Sequence, residues 1–211
     1  MMALAARRTF RLAGVLAVLI FLDHCIAAPL LLPATSTRLA RVTRSFLEEP
    51  LAELASQRDI EGKTVFFLNP PSAFMGILIP HLRAKLDEDL PAHTHVLSSG
   101  LHNFIDVTRI DAYTLEITPQ DGFASAEVDR LFRGPHHPMR VGQRVVLDAM
   151  TIEVLSLTRD QRPLRARFAF SRPLEDPSYL FVRHQSVGLA PFDLPAVGQT
   201  VRLHWYIWPH W

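Results

Sequence analysis

The chain has 211 residues, an almost balanced charge and one cysteine, and these properties exclude several classes of protein. Its 22 basic and 21 acidic residues give a net charge of +1, which provides no general attraction to nucleic acid. Because Cys25 is the only cysteine, neither an intramolecular disulfide nor a cysteine-based zinc site can form.

An apolar run, residues 12–32, follows a basic segment at residues 7–11. The run is long enough to cross a hydrocarbon core of about 30 Å. Its twelve Leu, Ile, Val and Phe residues favour insertion by about 4 to 7 kcal/mol, whereas the central Asp23 opposes it by about 2.5 to 3.5 kcal/mol. We therefore predict a transmembrane helix or signal-anchor within residues 1–34. Its partners are the lipid bilayer and, to shield the aspartate, other membrane helices or membrane proteins.

Two other interpretations of this segment stay open. In a cleaved signal peptide, residues 12–22 are the apolar core, and cleavage follows the small residue Ala27. In a soluble protein, the same residues form a buried core helix. The basic flank favours a cytoplasmic N-terminus by the positive-inside rule, although arginines also follow the run. We predict a single-pass protein with a periplasmic or extracellular C-terminal domain, or a secreted domain after cleavage.

Residues 35–60 are predicted to be a helical linker, and residues 61–211 a soluble β-rich domain. Apolar residues recur at spacings of three and four over residues 35–58, with a kink expected at Pro50. The remaining 150 or so residues are enough for one domain with a sizeable core.

The soluble domain begins with the pattern of a βαβ unit. Residues 64–69 and 93–99 are predicted strands, and residues 73–89 between them a helix that Pro80 kinks or delays. The helix is expected to bury one apolar face. That face consists of Phe74, Ile77, Leu78, Leu82 and Leu86.

After Gly100 the apolar period changes to two, which predicts antiparallel strands. A similar pentapeptide occurs at residues 141–145 and 197–201, and a glycine turn that feeds a strand explains it more simply than duplication. The predicted fold class is α+β: an N-terminal hydrophobic helix, then a mainly antiparallel β-sandwich or open barrel with one packed helix. The further strands are predicted at residues 104–110, 114–118, 144–147, 150–158, 165–171, 179–184 and 201–208.

Three histidines, His93, His95 and His102, are the candidate metal ligands. The first two share one face of a predicted strand, because side chains alternate along it. Two imidazoles on that face, with His102 as a third ligand, suit zinc or copper. The alternative is that they are polar residues on the solvent face of the strand.

Candidates for nucleophilic or acid–base chemistry are weaker. Ser98, Ser99, His102 and Asp106 include the residue types of a triad, but the Gly-x-Ser-x-Gly turn of hydrolases is absent. The paired carboxylates Glu175 and Asp176 lie in a predicted loop, where such groups are usually solvated. The sequence thus assigns no catalytic, cofactor-binding or metal residue.

Residues 64–204 resemble the C-terminal soluble region of an uncharacterised bacterial family of multi-pass membrane proteins. The resemblance rests on residues 65–71, 131–138, 141–142 and 172–178, which are strand and turn motifs. It implies no known reaction and no catalytic residues. The family has many apolar segments, so we expect this chain to be the tail of a longer membrane protein.

The function predicted from the sequence is a membrane-tethered extracytoplasmic accessory or binding domain, with an unidentified ligand and no cofactor. The alternative is a metal-dependent or hydrolytic enzyme that uses His93, His95 and His102.

Overall fold

The computed structural model describes residues 16, 19–22, 60–70, 73–99, 104–125, 138–185 and 188–204. The chain divides into two units, Met1–Phe46 and Leu47–Trp211, and the described strands all belong to the second. The predicted division at residues 34 and 60 stays a prediction, because most of residues 1–60 lies outside the described ranges.

Only five residues of the predicted hydrophobic segment are described. Residues 16 and 19–22 are helical, and their apolar side chains are all exposed. Within the ranges given above, no helical segment combines the length and the apolar character that crossing a bilayer requires.

The described part of residues 60–204 holds one helix and ten strands. The helix α1 spans Met75–Lys85. The strands are β1 (Thr64–Phe67), β2 (His93–Val96), β3 (Phe104–Arg109), β4 (Thr114–Pro119), β5 (Arg144–Val146), β6 (Met150–Leu157), β7 (Pro163–Phe170), β8 (Tyr179–Gln185), β9 (Gly188–Pro191) and β10 (Thr200–His204).

The first sheet is mixed, with the strand order β2-β1-β8-β9. Strand β1 is parallel to both of its neighbours, and β9 is antiparallel to β8. The predicted βαβ unit is confirmed, because α1 connects the parallel neighbours β1 and β2. The pairing of Thr64 with Tyr179 adds β8, which was not predicted to join this unit.

The second sheet is antiparallel throughout, with the strand order β10-β3-β4-β7-β6-β5. Its strands β3 and β4 alternate between buried and half-buried residues, as the apolar period of two predicted. Neither sheet closes into a barrel among the strands described here. The fold class is α+β and mostly β.

Strand β1 is buried on both faces, which explains its continuous apolar run. Phe66 and Leu68 pack in a core cluster with side chains of the second sheet. Val65 and Phe67 point the other way, into a cluster with side chains of α1. One strand therefore separates the two cores of the domain.

The predicted buried face of α1 is wrong. The helix buries Met75, Ile79 and Arg83, whereas Ile77 and Leu86 are more than half exposed. The helix is apolar on several sides, so its period alone does not select a face. The sheet selects it, because α1 approaches β2 closely at Gly76, where a Cβ would lie 3.0 Å from Cγ2 of Val96, a tighter contact than most Cβ atoms make.

Pro80 lies inside α1, where proline removes one helical hydrogen bond. The carbonyl that loses its partner is that of Gly76, four residues earlier. The Thr94 hydroxyl of β2 donates a hydrogen bond to this carbonyl. The neighbouring strand thus replaces the bond that proline cannot make, and the helix continues past the proline.

The repeated pentapeptide is a turn that feeds a strand in both places. Gly142 and Gly198 have positive φ angles of 79° and 81°, and β5 and β10 begin two residues after them. The local interpretation of the repeat is therefore confirmed.

Candidate functional site

The two described candidate metal ligands lie on β2, and His102 lies outside the described residues. His93 is exposed, and His95 is half-buried with its ring stacked on Phe66, the centroids being 5.4 Å apart. Burial, with His93 as a further cause, lowers the pKa of His95, while Asp148 acts in the opposite direction. Among the described residues, no three His, Cys, Asp or Glu side chains cluster to hold a metal.

The triad candidates that the structure describes do not form a catalytic site with one another. The carboxylate of Asp106 in β3 accepts two hydrogen bonds from the Arg202 guanidinium, at 2.7 and 2.8 Å. Ser98 is buried after the end of β2, and its Oγ has no hydrogen-bond partner within the described ranges. Asp106 is therefore occupied in a cross-strand ion pair, and Ser98 needs another explanation.

A cleft of about 460 Å³ lies where the amino ends of β1 and β8 meet the end of β3. This volume is within the range of small-molecule sites. Both cores and three loops contribute to its lining. The lining residues are Lys63, Arg109, Leu174, Glu175, Asp176, Pro177, Tyr179, Leu180, Phe181, Pro191, Phe192, Asp193 and Leu194.

Arg109 holds one side of the cleft together. The side chain is buried, and its Nε and Nη1 donate to the carbonyls of Asp111 and Pro195 at 3.1 and 3.4 Å. Its Nη2 donates to Glu175, whose side chain is 57% exposed. Arg109 thus joins β3 to two loops that form the cleft wall.

The predicted loop carboxylates line this cleft, but each is already bonded. The hydrogen bond from Arg109 lowers the pKa of Glu175. Asp176 accepts hydrogen bonds from the backbone N–H and hydroxyl of Ser178, which lower its pKa, and it pairs with Arg172. The sequence led us to expect that Glu175 and Asp176 are solvated. Both carboxylates are instead bonded to protein groups, and they stabilise the turn before β8.

The floor of the cleft is apolar. Leu174, Phe181 and Phe192 are almost fully buried in the core that the two sheets share, while Asp193 at the rim is exposed. An apolar floor below a polar rim favours a ligand with an apolar body and polar substituents.

Sequence reasoning did not find this cleft. Arg109 ends an ordinary alternating strand, and nothing in its sequence neighbourhood indicates that it contacts residues 66 and 86 positions away. The only signal was the adjacent carboxylate pair at residues 175–176.

No protein-family model, curated protein or solved structure matches the chain.

Proposed function

We propose that the chain is a membrane-tethered, extracytoplasmic accessory or binding domain without catalysis, and that the cleft is its ligand site. The observation that carries the proposal is the cleft itself, with its apolar floor and mixed polar rim. The rim groups Arg109, Glu175 and Asp176 are held by protein partners. Groups held in this way suit a site that orients a ligand rather than one that transfers protons.

The tether is proposed from the N-terminal residues. Leu16 and residues 19–22 are helical and display apolar side chains, which suits a lipid environment. The basic residues before them favour the orientation that exports the domain. Other membrane helices or membrane proteins are the proposed additional partners. The resemblance to a family of multi-pass membrane proteins belongs to the same proposal.

The arrangement of the two sheets is also part of the proposal. We infer that the two sheets form a sandwich, because Phe66 and Phe181 of the first sheet and Phe168 of the second belong to one core cluster. The N-terminal hydrophobic helix then precedes this sandwich.

A bulky substitution at an exposed residue of the rim tests whether the cleft binds a ligand. The full chain in detergent is screened against a library of small molecules by the shift in its thermal unfolding midpoint. Asp193→Trp places a bulky ring at the rim, and Asp121→Trp is the control at an exposed aspartate that does not line the cleft. We expect ligands of the unmodified chain to bind the control and not Asp193→Trp. Equal binding to both variants would refute the assignment of the cleft.

The second candidate is a metal-dependent enzyme, and the shared face of His93 and His95 favours it. Elemental analysis of the purified full chain tests this candidate. Stoichiometric zinc or copper that is lost in the His93→Ala, His95→Ala double variant supports the enzyme, whereas metal that persists in this variant refutes it.

A further inference from the structure

Three buried polar residues lie side by side where three parallel strands end. Val96, Phe67 and Val182 pair across β2, β1 and β8. Two residues beyond each of them come Ser98, Asn69 and His184, which we call the polar row.

Hydrogen bonds continue the register as far as the polar row. Leu97 N donates to Phe67 O at 2.8 Å, and Leu68 N donates to Val182 O at 2.9 Å. In the row itself, the backbone N–H of His184 donates to Oδ1 of Asn69 at 2.8 Å. Asn69 is thus bonded to His184, and Ser98 directly follows the residue that bonds to Phe67.

His184 of the polar row is on the face of the sheet that α1 covers. Phe67 and Val182 pack with Met75 in the first turn of the helix, and the alternation of side chains along β8 puts His184 on the same face as Val182. Asn69 and Ser98 follow the ends of β1 and β2. Gly76 approaches Val96 so closely that a Cβ would be 3.0 Å away. The first turn of α1 therefore packs against Val96, Phe67 and Val182, which lie two positions before the residues of the polar row.

The helix runs from the carboxyl ends of the strands towards their amino ends. Its return connection bonds to the start of β1, with Gly62 N donating to Leu90 O at 3.2 Å and Ala92 N donating to Lys63 O at 2.9 Å. The amino end of α1 is therefore directed towards the polar row. Its first turn has no acidic residue and no side-chain cap, and a helix amino terminus favours anions.

In two residues of the polar row, one buried side-chain atom has no hydrogen-bond partner among the described residues. Ser98 and His184 are 3% and 4% exposed, and neither Oγ of Ser98 nor Nδ1 of His184 has a hydrogen-bond partner in the described part of the chain. Buried polar atoms are nearly always bonded, so two unpaired atoms in one row call for a bound group.

The three residues do not form a nucleophile–base pair. The strand β1, with Asn69, separates Ser98 from His184. Strands are about 4.8 Å apart, so the two outer members lie roughly 10 Å from each other at the backbone, too far for a direct hydrogen bond. The arrangement therefore suits a ligand that accepts hydrogen bonds from both sides.

We propose that the polar row and the amino end of α1 bind the oxyanion group, phosphate or carboxylate, of a small ligand. The donors are the Ser98 hydroxyl and the His184 imidazole. Between them, the Asn69 amide bonds to the backbone of His184, with Oδ1 accepting from its N–H and Nδ2 donating to its carbonyl at 3.5 Å. The site lies beyond the carboxyl ends of parallel strands, where open α/β sheets bind ligands. It is separate from the cleft, which lies at the amino ends of β1 and β8, and it does not depend on the function proposed for the cleft.

Anion titrations of the full chain in detergent test this site. Inorganic phosphate and acetate are added separately at constant ionic strength, with chloride as the balancing salt, and binding is measured by calorimetry. We expect one of the two anions to bind and to raise the thermal unfolding midpoint. Ser98→Ala weakens binding about tenfold or more, because a hydrogen bond to a charged group is lost. Ser171→Ala, at an exposed serine, leaves the affinity unchanged.

Ser98→Ala has a second expected effect that a structural serine would not show. Without anion, its unfolding midpoint is higher than that of the unmodified chain, because an unpaired buried hydroxyl has been removed. His184→Phe is the second variant. It removes the imidazole nitrogens but keeps the backbone bond to Asn69, and it also loses anion binding.

Several results would overturn the proposal. The first is that neither anion binds the unmodified chain at millimolar concentrations, so that the row holds water alone. The second is that Ser171→Ala weakens binding as much as Ser98→Ala does. The third is that His184→Phe binds the anion normally. Asp193→Trp should leave anion binding unchanged, so that a failure of the cleft and a failure of this site are distinguished.

Discussion

The contact between Thr94 and α1 allows a quantitative prediction about how the helix tolerates Pro80. Pro80 lacks an N–H, and the Thr94 hydroxyl donates to the Gly76 carbonyl that this proline leaves unpaired. Thr94→Val keeps the shape of the side chain and removes the donor. The carbonyl then has neither its helical partner nor the hydroxyl.

The size of the effect follows from the burial of this bond. Leaving a buried acceptor unpaired costs about 1–3 kcal/mol, and the lower part of that range applies because the bond is only partly buried. We therefore expect Thr94→Val to lower the free energy of unfolding by about 1–2 kcal/mol. For a domain of this size the unfolding midpoint falls by roughly 2–8 °C.

A double-mutant cycle measured by thermal and urea unfolding tests the stated cause. Pro80→Ala restores an N–H that can bond to the Gly76 carbonyl. Thr94→Val should therefore cost clearly less in the Pro80→Ala background than in the unmodified chain. Thr200→Val is the matched control, because its hydroxyl pairs with that of Thr108 in an exposed position. Equal costs of Thr94→Val in the two backgrounds would refute the reasoning.

Three further predictions concern turns, the cleft wall and pH. Gly122→Ala should lower the free energy of unfolding by about 2 kcal/mol or more, because its φ is +74° and the new Cβ would lie 2.6 Å from a side-chain atom of the next hairpin. Gly142→Ala, with φ +79° and open space, should cost only about 1 kcal/mol in the same denaturant assay. Arg109→Met should cost about 2 kcal/mol or more, because three bonds are lost from a buried side chain, whereas Glu175→Gln at an exposed position should change the urea midpoint little. Burial lowers the pKa of His184 below its ordinary value of 6.5. Below pH 6.5 the unfolded chain therefore binds a proton at this residue more readily than the folded chain does. The free energy of unfolding should then be highest above pH 6.5 and fall as the pH drops from 6.5 through the folded pKa; His184→Phe should make this slope shallower, and an unchanged slope would contradict the assignment.

Local patterns were sufficient to predict every described strand except β9, and one connection between strands. The apolar run at residues 64–69, the helix after it and the strand at residues 93–99 predicted a βαβ unit, because parallel neighbours require a crossover of this kind. The alternation in β3 and β4 predicted their antiparallel pairing, since a period of two matches a sheet with one buried face. These features depend on neighbours in the sequence, and for that reason they could be predicted.

The candidate sites could not be predicted in the same way. His93 and His95 stood out because they are two residues apart, whereas Asn69, Ser98 and His184 come from three segments with no shared motif. Their proximity depends on the register of β1 with two partners, one of them 115 positions away.

The sequence by itself determined the strands of this protein other than β9, the glycine turns before β5 and β10, and the burial of β1, because each depends on local periodicity and backbone geometry. Only the tertiary structure decided which face α1 buries, which strand lies beside β1 and which polar side chains meet. An apolar helix with several usable faces is oriented by shape, here by the approach of Gly76 to Val96. Long-range pairing likewise depends on the free energy of the whole core, which no single stretch of sequence contains.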